Sequence, residues 1–448
     1  LNKTKEVRYW LNEIEDARKR DKDYTDKGEK ILDIYNGDSP DDIPFNILYS
    51  NTETLHPALY SKLPKPAVKP TNTKRDRKGF TKVDILETAV CTASNRMLSY
   101  LLDMNTPDYA SADDSFSSAV MDALLPGRGA ISVKFDAEGD DEEVDWATIC
   151  LNARKWNRVY YGFATKWEDM PWIAYEEFMD EDEAKSKFGA KANKIKFTIS
   201  DEDEHTESEY EERIKTARIY QIWDKNEKKV KYVSDSCQEM LKVDDDPLEI
   251  DGFYNMPKPL VLHRRSNDLR VTAVYSLYEN QAEELNRIQR RINRVVEAIK
   301  VRGAYNGALG ADLERIFEQE DTELVATENA TMLAEGGFEK NIWMIPIGEL
   351  VGVLQQLYIA REACKSVIYE ITGISDILRG ASKASETLGA QKMKEAWGTM
   401  RLKSLQKSVQ MYVRDVIRIM LDVASKNMPQ DMWIKITGLP YPTREEKE

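Results

Sequence analysis

Residues 386–426 read ETLGAQKMKEAWGTMRLKSLQKSVQMYVRDVIRIMLDVASK. Met393, Trp397, Met400, Leu405, Val409, Tyr412, Val416, Ile419 and Val423 recur at helical spacing, which predicts one long amphipathic helix. At about 1.5 Å per residue, such a helix is on the order of 60 Å long. An apolar seam of that length needs cover along its whole extent. No internal repeat or low-complexity array in the chain supplies it. Packing against further copies of the same chain is the economical solution.

The residues before this stretch repeat the theme. A helix is expected over about 348–371, with Leu350, Leu354, Leu357, Cys364, Val367, Ile368 and Ile371 as its stripe. Another spans 272–302 and carries Val274, Tyr278, Leu285, Ile288, Ile292, Val295 and Ile299. Arg287, Arg290, Arg291 and Arg294 recur on a different face of that helix, giving it a packing seam and a basic flank. Between the two helices, residues 303–346 break the period. Gly303, Gly307, Gly310 and the Gly336-Gly337 turn punctuate a short helical piece around Leu313–Phe317 and a strand-like Glu323–Ala326.

The N-terminal half is mixed. Trp10, Ile14, Ala17, Ile31, Ile34 and Tyr35 mark helix, and the Pro-rich run from Leu63 to Pro70 reads as an extended surface connection. Residues 82–103 return to helix through Val83, Leu86, Val90, Met97 and Leu101. Pro126-Gly127-Arg128-Gly129 forms a turn into a strand at Ala130–Phe135, and Ala217–Asp224 with Lys229–Val233 predicts a hairpin. The acidic runs Asp136–Asp145 and Asp201–Glu212 lack the ligand alternation of a calcium loop and read as solvated loops. The fold class expected is mixed α+β, predominantly α.

Composition excludes more than it proves. The 448 residues exceed a single core, and 41% hydrophobic residues supply material for more than one. The net charge of −15 disfavours a simple basic nucleic-acid binder. His56, His205 and His263 are scattered, as are Cys91, Cys150, Cys237 and Cys364, so neither zinc spacing nor a disulfide framework is present. There is no phosphate-binding P-loop and no nucleophile elbow. No apolar run approaches the roughly 20 residues of a bilayer span. Leu1 stands first with no signal-like segment after it, so the chain is expected to be a trimmed form of a longer product. Catalysis is the weaker expectation. A metal-dependent nuclease stays an alternative on carboxylate content, and a helical structural adaptor without a channel stays one on the long helices.

Five ordered pieces carry a resemblance. They are Phe45-Asn46-Ile47-Leu48-Tyr49-Ser50-Asn51-Thr52-Glu53-Thr54-Leu55 with Pro57–Tyr60 and Pro64-Lys65-Pro66; Leu125-Pro126-Gly127-Arg128-Gly129; and Trp167-Glu168-Asp169-Met170-Pro171-Trp172 with Phe188-Gly189. The fourth is Ile222-Trp223-Asp224-Lys225 with Asp246-Pro247-Leu248 and Met256–Leu260. The fifth is Thr372-Gly373-Ile374-Ser375-Asp376-Ile377-Leu378-Arg379-Gly380 with Ser385-Glu386-Thr387 and Gln391. In this order, over about 45–425, the chain resembles the portal (head-to-tail connector) proteins of tailed bacteriophages, most closely those of short-tailed phages.

The resemblance implies a plan: residues 1–262 a wing, 263–302 a first stem helix, 303–346 a clip, 347–372 a second stem helix, 373–385 a tunnel loop, 386–426 a long wing helix, and 427–448 the start of a crown. It implies a ring, normally of twelve subunits, at one capsid vertex of the virion, assembled in the host cytoplasm. The genome would enter through its bore in packaging and leave at infection. Partners implied are the chain itself, double-stranded DNA, the terminase packaging motor, tail adaptors, and capsid and scaffolding proteins, with no membrane, cofactor or metal. Arg379, Lys383, Lys392 and Lys394 flank the implied tunnel loop and are candidates to face DNA. Arg287, Arg290, Arg291 and Arg294 are candidates for the subunit interface, and Leu313, Ile316 and Phe317 for docking at the clip.

Overall fold

A computed structural model of the chain describes residues 2–70, 73–75, 81–83, 85–105, 109–140, 143–198, 215–263, 265, 269–299, 303–305, 342–344, 347–374 and 388–441. The fold is mixed α/β and mostly helical. It divides into two compact units: Leu1–Pro40, Leu48–Leu277 and Thr372–Glu448 form one, and Asp41–Ile47 with Tyr278–Ile371 form the other.

The first unit is built on helix α1 (Asn2–Asn36) and an antiparallel meander of five strands, β5 to β9 in sequence order. Preceding the meander come helix α2 (Ile47–Leu59), the paired strands β1 (Thr73–Arg75) and β2 (Thr81–Val83), and helices α3 (Ile85–Asp103) and α4 (Ala112–Leu124). The long hairpin β3 (Ala130–Asp140) and β4 (Glu143–Arg154) follows. The meander strands are β5 (Val159–Tyr161), β6 (Trp172–Met179), β7 (Ala217–Asp224), β8 (Lys229–Ser234) and β9 (Lys242–Asp245). A capped helix, α5 (Glu181–Phe188), sits between β6 and β7. Asp180 accepts from the Asp182 and Glu183 amides, and the Glu183 carboxylate returns to the Asp180 N–H as a capping box.

Helix α1 is mostly charged, yet Val7, Trp10, Ile14 and Ala17 share one face and are buried. They pack on Tyr160, Trp172, Ala174, Tyr220, Ile222 and Val233 of the sheet. Trp10 meets Trp172 edge to face, with centroids 6.0 Å apart. The turn before β3 has a steric reason for its glycines. A Cβ on Gly129 would collide with the Ala119 carbonyl of α4, and Gly127 has φ +104°.

The expected hairpin at 217–233 is present, Ile219 pairing with Ser234 and Asp224 with Lys229. Two expectations need correction. The helix placed from 82 begins at Ile85, because Thr81–Val83 pair with Thr73–Arg75 as strand and Val83 leaves the helical stripe. The acidic run 136–145 is largely the end of a hairpin rather than a loop, with Ala137 paired to Ala147 and Asp140 to Glu143.

The second unit contains helix α6 (Glu279–Ala298), the short pair β10 (Gly303–Tyr305) and β11 (Ile342–Met344), and helix α7 (Ile347–Thr372). Ala282, Leu285, Ile288 and Ile292 of α6 are buried, as its period predicts. Asn286 Oδ1 accepts from the Phe45 N–H at 3.2 Å, and Arg290 donates to the Asp42 carbonyl at 2.7 Å, which ties residues 41–47 to this unit.

The chain then returns to the first unit. Helix α8 (Leu388–Asn427) is the expected long helix, at 40 residues. Val409, Tyr412, Val413, Val416, Met420 and Val423 are buried, whereas Met400, placed on the stripe, is 63% exposed. A further helix, α9 (Gln430–Thr437), packs beside α3: Arg96 donates to the Thr437 carbonyl at 2.7 Å, and Trp433 stacks on Tyr441 at 4.2 Å. All four cysteines are buried thiols.

Candidate functional site

Of the candidates to face DNA, Lys392 and Lys394 lie in the first turns of α8, and Arg379 and Lys383 fall outside the described residues. Leu313, Ile316 and Phe317, the docking candidates, also fall outside them. The arginine set is described in full. Arg287, Arg291 and Arg294 are exposed on α6, while Arg290 is half-buried against Asp42. Among the described residues, no carboxylate lies within ion-pair distance of any of the four arginines. Arg287, Arg291 and Arg294 thus form an exposed basic flank on the second unit.

Helix α7 is the less ordinary surface. From Leu350 to Ala360 it holds no charged residue. Its inner line is covered, with Cys364 and Ile368 buried and the Cys364 thiol 3.3 Å from the Gln281 carbonyl of α6. Its other lines are not. Val351, Val353, Tyr358, Ile359 and Val367 are exposed, Ile359 to 62% and Val353 to 50%. At about 100° per residue these positions lie on several sides of the helix, so no single amphipathic stripe accounts for them. Val367, assigned to the covered stripe by spacing, belongs to this exposed set. A helix apolar on most of its circumference is normally buried.

In the first unit the structure brings together charges that spacing alone did not. Lys231 of β8 has a buried side chain. Its ammonium reaches Glu227 at 2.8 Å and Asp224 and Glu6 at 3.2 Å, and lies 4.9 Å from the Trp10 ring. Arg128, in the Leu125–Gly129 turn, is buried and bonded to Asp21 at 3.1 Å and to the Trp156 carbonyl. Strict alternation in β8 places Lys231 on the face opposite Val230 and Tyr232 and so predicts a surface lysine, yet both faces of the strand are buried. Nothing in the local sequence marks Arg128, which a glycine turn normally leaves in solvent.

Burial pushes the Asp122 carboxyl up to about 7, with Lys155 and the Trp156 N–H opposing it. Burial raises Cys150 to about 11, which keeps it an unreactive thiol. Burial works against ionised Glu177 as well, but Arg154 and Lys187 overcome it and hold that carboxylate below its usual range. Among the described residues, no three His, Cys, Asp or Glu side chains converge as metal ligands, and no helix is long and apolar enough to cross a membrane.

Residues 91–301 match the family model described as phage P22-like portal protein. No curated protein matches the chain. The family match covers α3 from Cys91 onward, α4, the hairpin, the whole meander and α6, and it supports a phage portal protein of the short-tailed, P22-like type. That family is structural rather than enzymatic, and its members are capsid-associated oligomers.

Proposed function

We propose, with that portal role as premise, that the chain assembles into a closed ring around a DNA channel at one capsid vertex. The observation that carries this is α7, whose uncharged turns around Val353 and Ile359 are left in water by a single chain. Apolar surface is stabilised by about 25 cal/mol per Å² when covered, and a heterologous contact that closes by rotation covers it in every subunit at once. The exposed arginines of α6 supply the polar part of the same contact, facing carboxylates of the neighbouring subunit.

In this reading residues 1–262 with the returning helix at 386–426 are the wing, 263–302 and 347–372 the stem helices, and 303–346 the clip. The ring is a conduit and docking platform. Many fixed Lys/Arg contacts would hold a duplex strongly and salt-dependently. A net charge of −15 per chain opposes such capture, while Arg379, Lys383, Lys392 and Lys394 guide DNA transiently at the tunnel. Leu313, Ile316 and Phe317 at the clip receive the tail adaptor and the packaging motor. Negative-stain electron microscopy of the purified chain tests the ring: end-on views with a stain-filled centre are expected, and solid particles would favour a helical adaptor without a channel.

A further inference from the structure

The Leu125–Gly129 turn does more than begin a strand. Its Arg128 lines a cavity of about 230 Å³ whose other walls come from separate elements: Arg18 and Asp21 from α1, Asn157 and Arg158 from the turn between β4 and β5, Glu176 from β6 and Arg218 from β7. Four arginines and two carboxylates line it, and Glu15 and Asp235 just outside also pair with Arg18 at 3.5 Å and Arg218 at 3.4 Å, so the cavity is densely charged and largely ion-paired.

Arg128 is held rigidly. Its guanidinium lies 4.7 Å from the Tyr24 ring centroid and 4.8 Å from that of Tyr161. Its terminal nitrogens donate to Asp21 at 3.1 Å and to the carbonyls of Trp156 and Val159 at 3.1 and 3.4 Å. Its Nε–H is buried with no partner, and the same holds for the acceptor Asn157 Oδ1. Orphaned buried donors and acceptors of this kind usually mark the place of a water, an ion or a ligand. The wall therefore offers one pre-oriented, unspent donor, the Arg128 Nε–H, and one unspent acceptor, Asn157 Oδ1, beside two carboxylates already paired with arginines.

We propose that this cavity binds a phosphate group that carries a proton, either inorganic phosphate or a phosphomonoester. The guanidinium groups match the oxygens of a tetrahedral oxyanion. The acceptors select among such anions. Monohydrogen phosphate has an O–H to donate to Asn157 Oδ1 or to a carboxylate, whereas sulfate at neutral pH has none and meets these oxygens with repulsion only. A backbone phosphodiester likewise has no O–H, so internal DNA phosphates are disfavoured. The site lies wholly within the first unit and does not depend on ring formation.

The test is calorimetric titration of the full chain with sodium phosphate and with sodium sulfate at matched ionic strength. Saturable phosphate binding is expected, at least tenfold tighter than sulfate. Asn157→Asp, which puts a third carboxylate on the wall, is expected to weaken phosphate at least tenfold. Asn157→Ala is expected to narrow the preference over sulfate, and its unliganded melting curve serves as the folding control. Phenyl phosphate at pH 5, where the monoester still holds its proton, distinguishes the source: competition assigns the group to a monoester, and its absence to the free anion, and either result upholds the site. Equal affinity for phosphate and sulfate, absence of saturable heat, or unchanged binding in Asn157→Asp would overturn it.

Discussion

Replacing Val353 and Ile359 by glutamate tests the assembly reading at its most exposed point. Full burial of a Val or Ile side chain stabilises by about 1.5–3 kcal/mol. Scaled by the exposed fractions of 50% and 62%, the pair offers roughly 2–3 kcal/mol to each subunit contact. The glutamates remove that and place two carboxylates in the apolar part of the contact, each with an effective desolvation penalty of several kcal/mol. A loss of about 5 kcal/mol or more per contact follows, beyond a thousandfold in the association constant at about 1.4 kcal/mol per tenfold. The isolated chain should hardly notice, because both positions face water on a helix that tolerates Glu well. Size-exclusion chromatography with light scattering reads assembly, and far-UV circular dichroism reads the fold. The V353E/I359E chain should be monomeric with unchanged helicity, and V353A/I359A should assemble more weakly. Assembly of V353E/I359E at wild-type concentrations would show that this face of α7 is not the contact.

Three further outcomes follow from particular residues. Lys231→Met leaves the buried Asp224 carboxylate unpaired beside Glu227, and urea denaturation should show a loss of about 3–5 kcal/mol, partly recovered in D224N/K231M. For Asp122, the folded chain holds a proton up to about pH 7 that the unfolded chain releases near 4, so this group's stabilising contribution is present below about pH 4 and is lost as pH rises through 7. Asp122→Asn should remove that dependence, recovering up to about 4 kcal/mol at pH 8 and much less at pH 5 in chemical denaturation. Finally, R379A/K383A should lower the DNA retained per filled capsid without preventing ring formation; unchanged retention and packaging rate would take both residues out of the mechanism.

Periodicity carried the helices and the hairpin well, because α1, α6, α7 and α8 each bury at least part of a stripe that spacing alone predicts. It failed where structure depends on pairing between distant short segments. Thr81–Val83 continues a helical pattern, and only its partner Thr73–Arg75 makes it strand. Spacing also does not say which apolar residues a lone chain can cover, which is why Met400 and Val367 emerge exposed while Val413 and Met420 lie inside. Buried charge was the least legible feature. Lys231, Arg128 and Asp122 read as ordinary surface residues until distant segments, α1 and the turn at 155–158 among them, fold over them. The eight-residue α9 is too short for its period to stand out, and it is held by Trp433 and by Arg96 from far upstream in the chain.

The central claim is that one copy of this chain leaves apolar helix uncovered and that a closed circle of copies covers it around a hollow axis. Native mass spectrometry of the purified wild-type chain addresses it most directly. A single dominant species of fixed subunit number is the result expected. A chain that stays monomeric at micromolar concentration, with its helices intact, would contradict it.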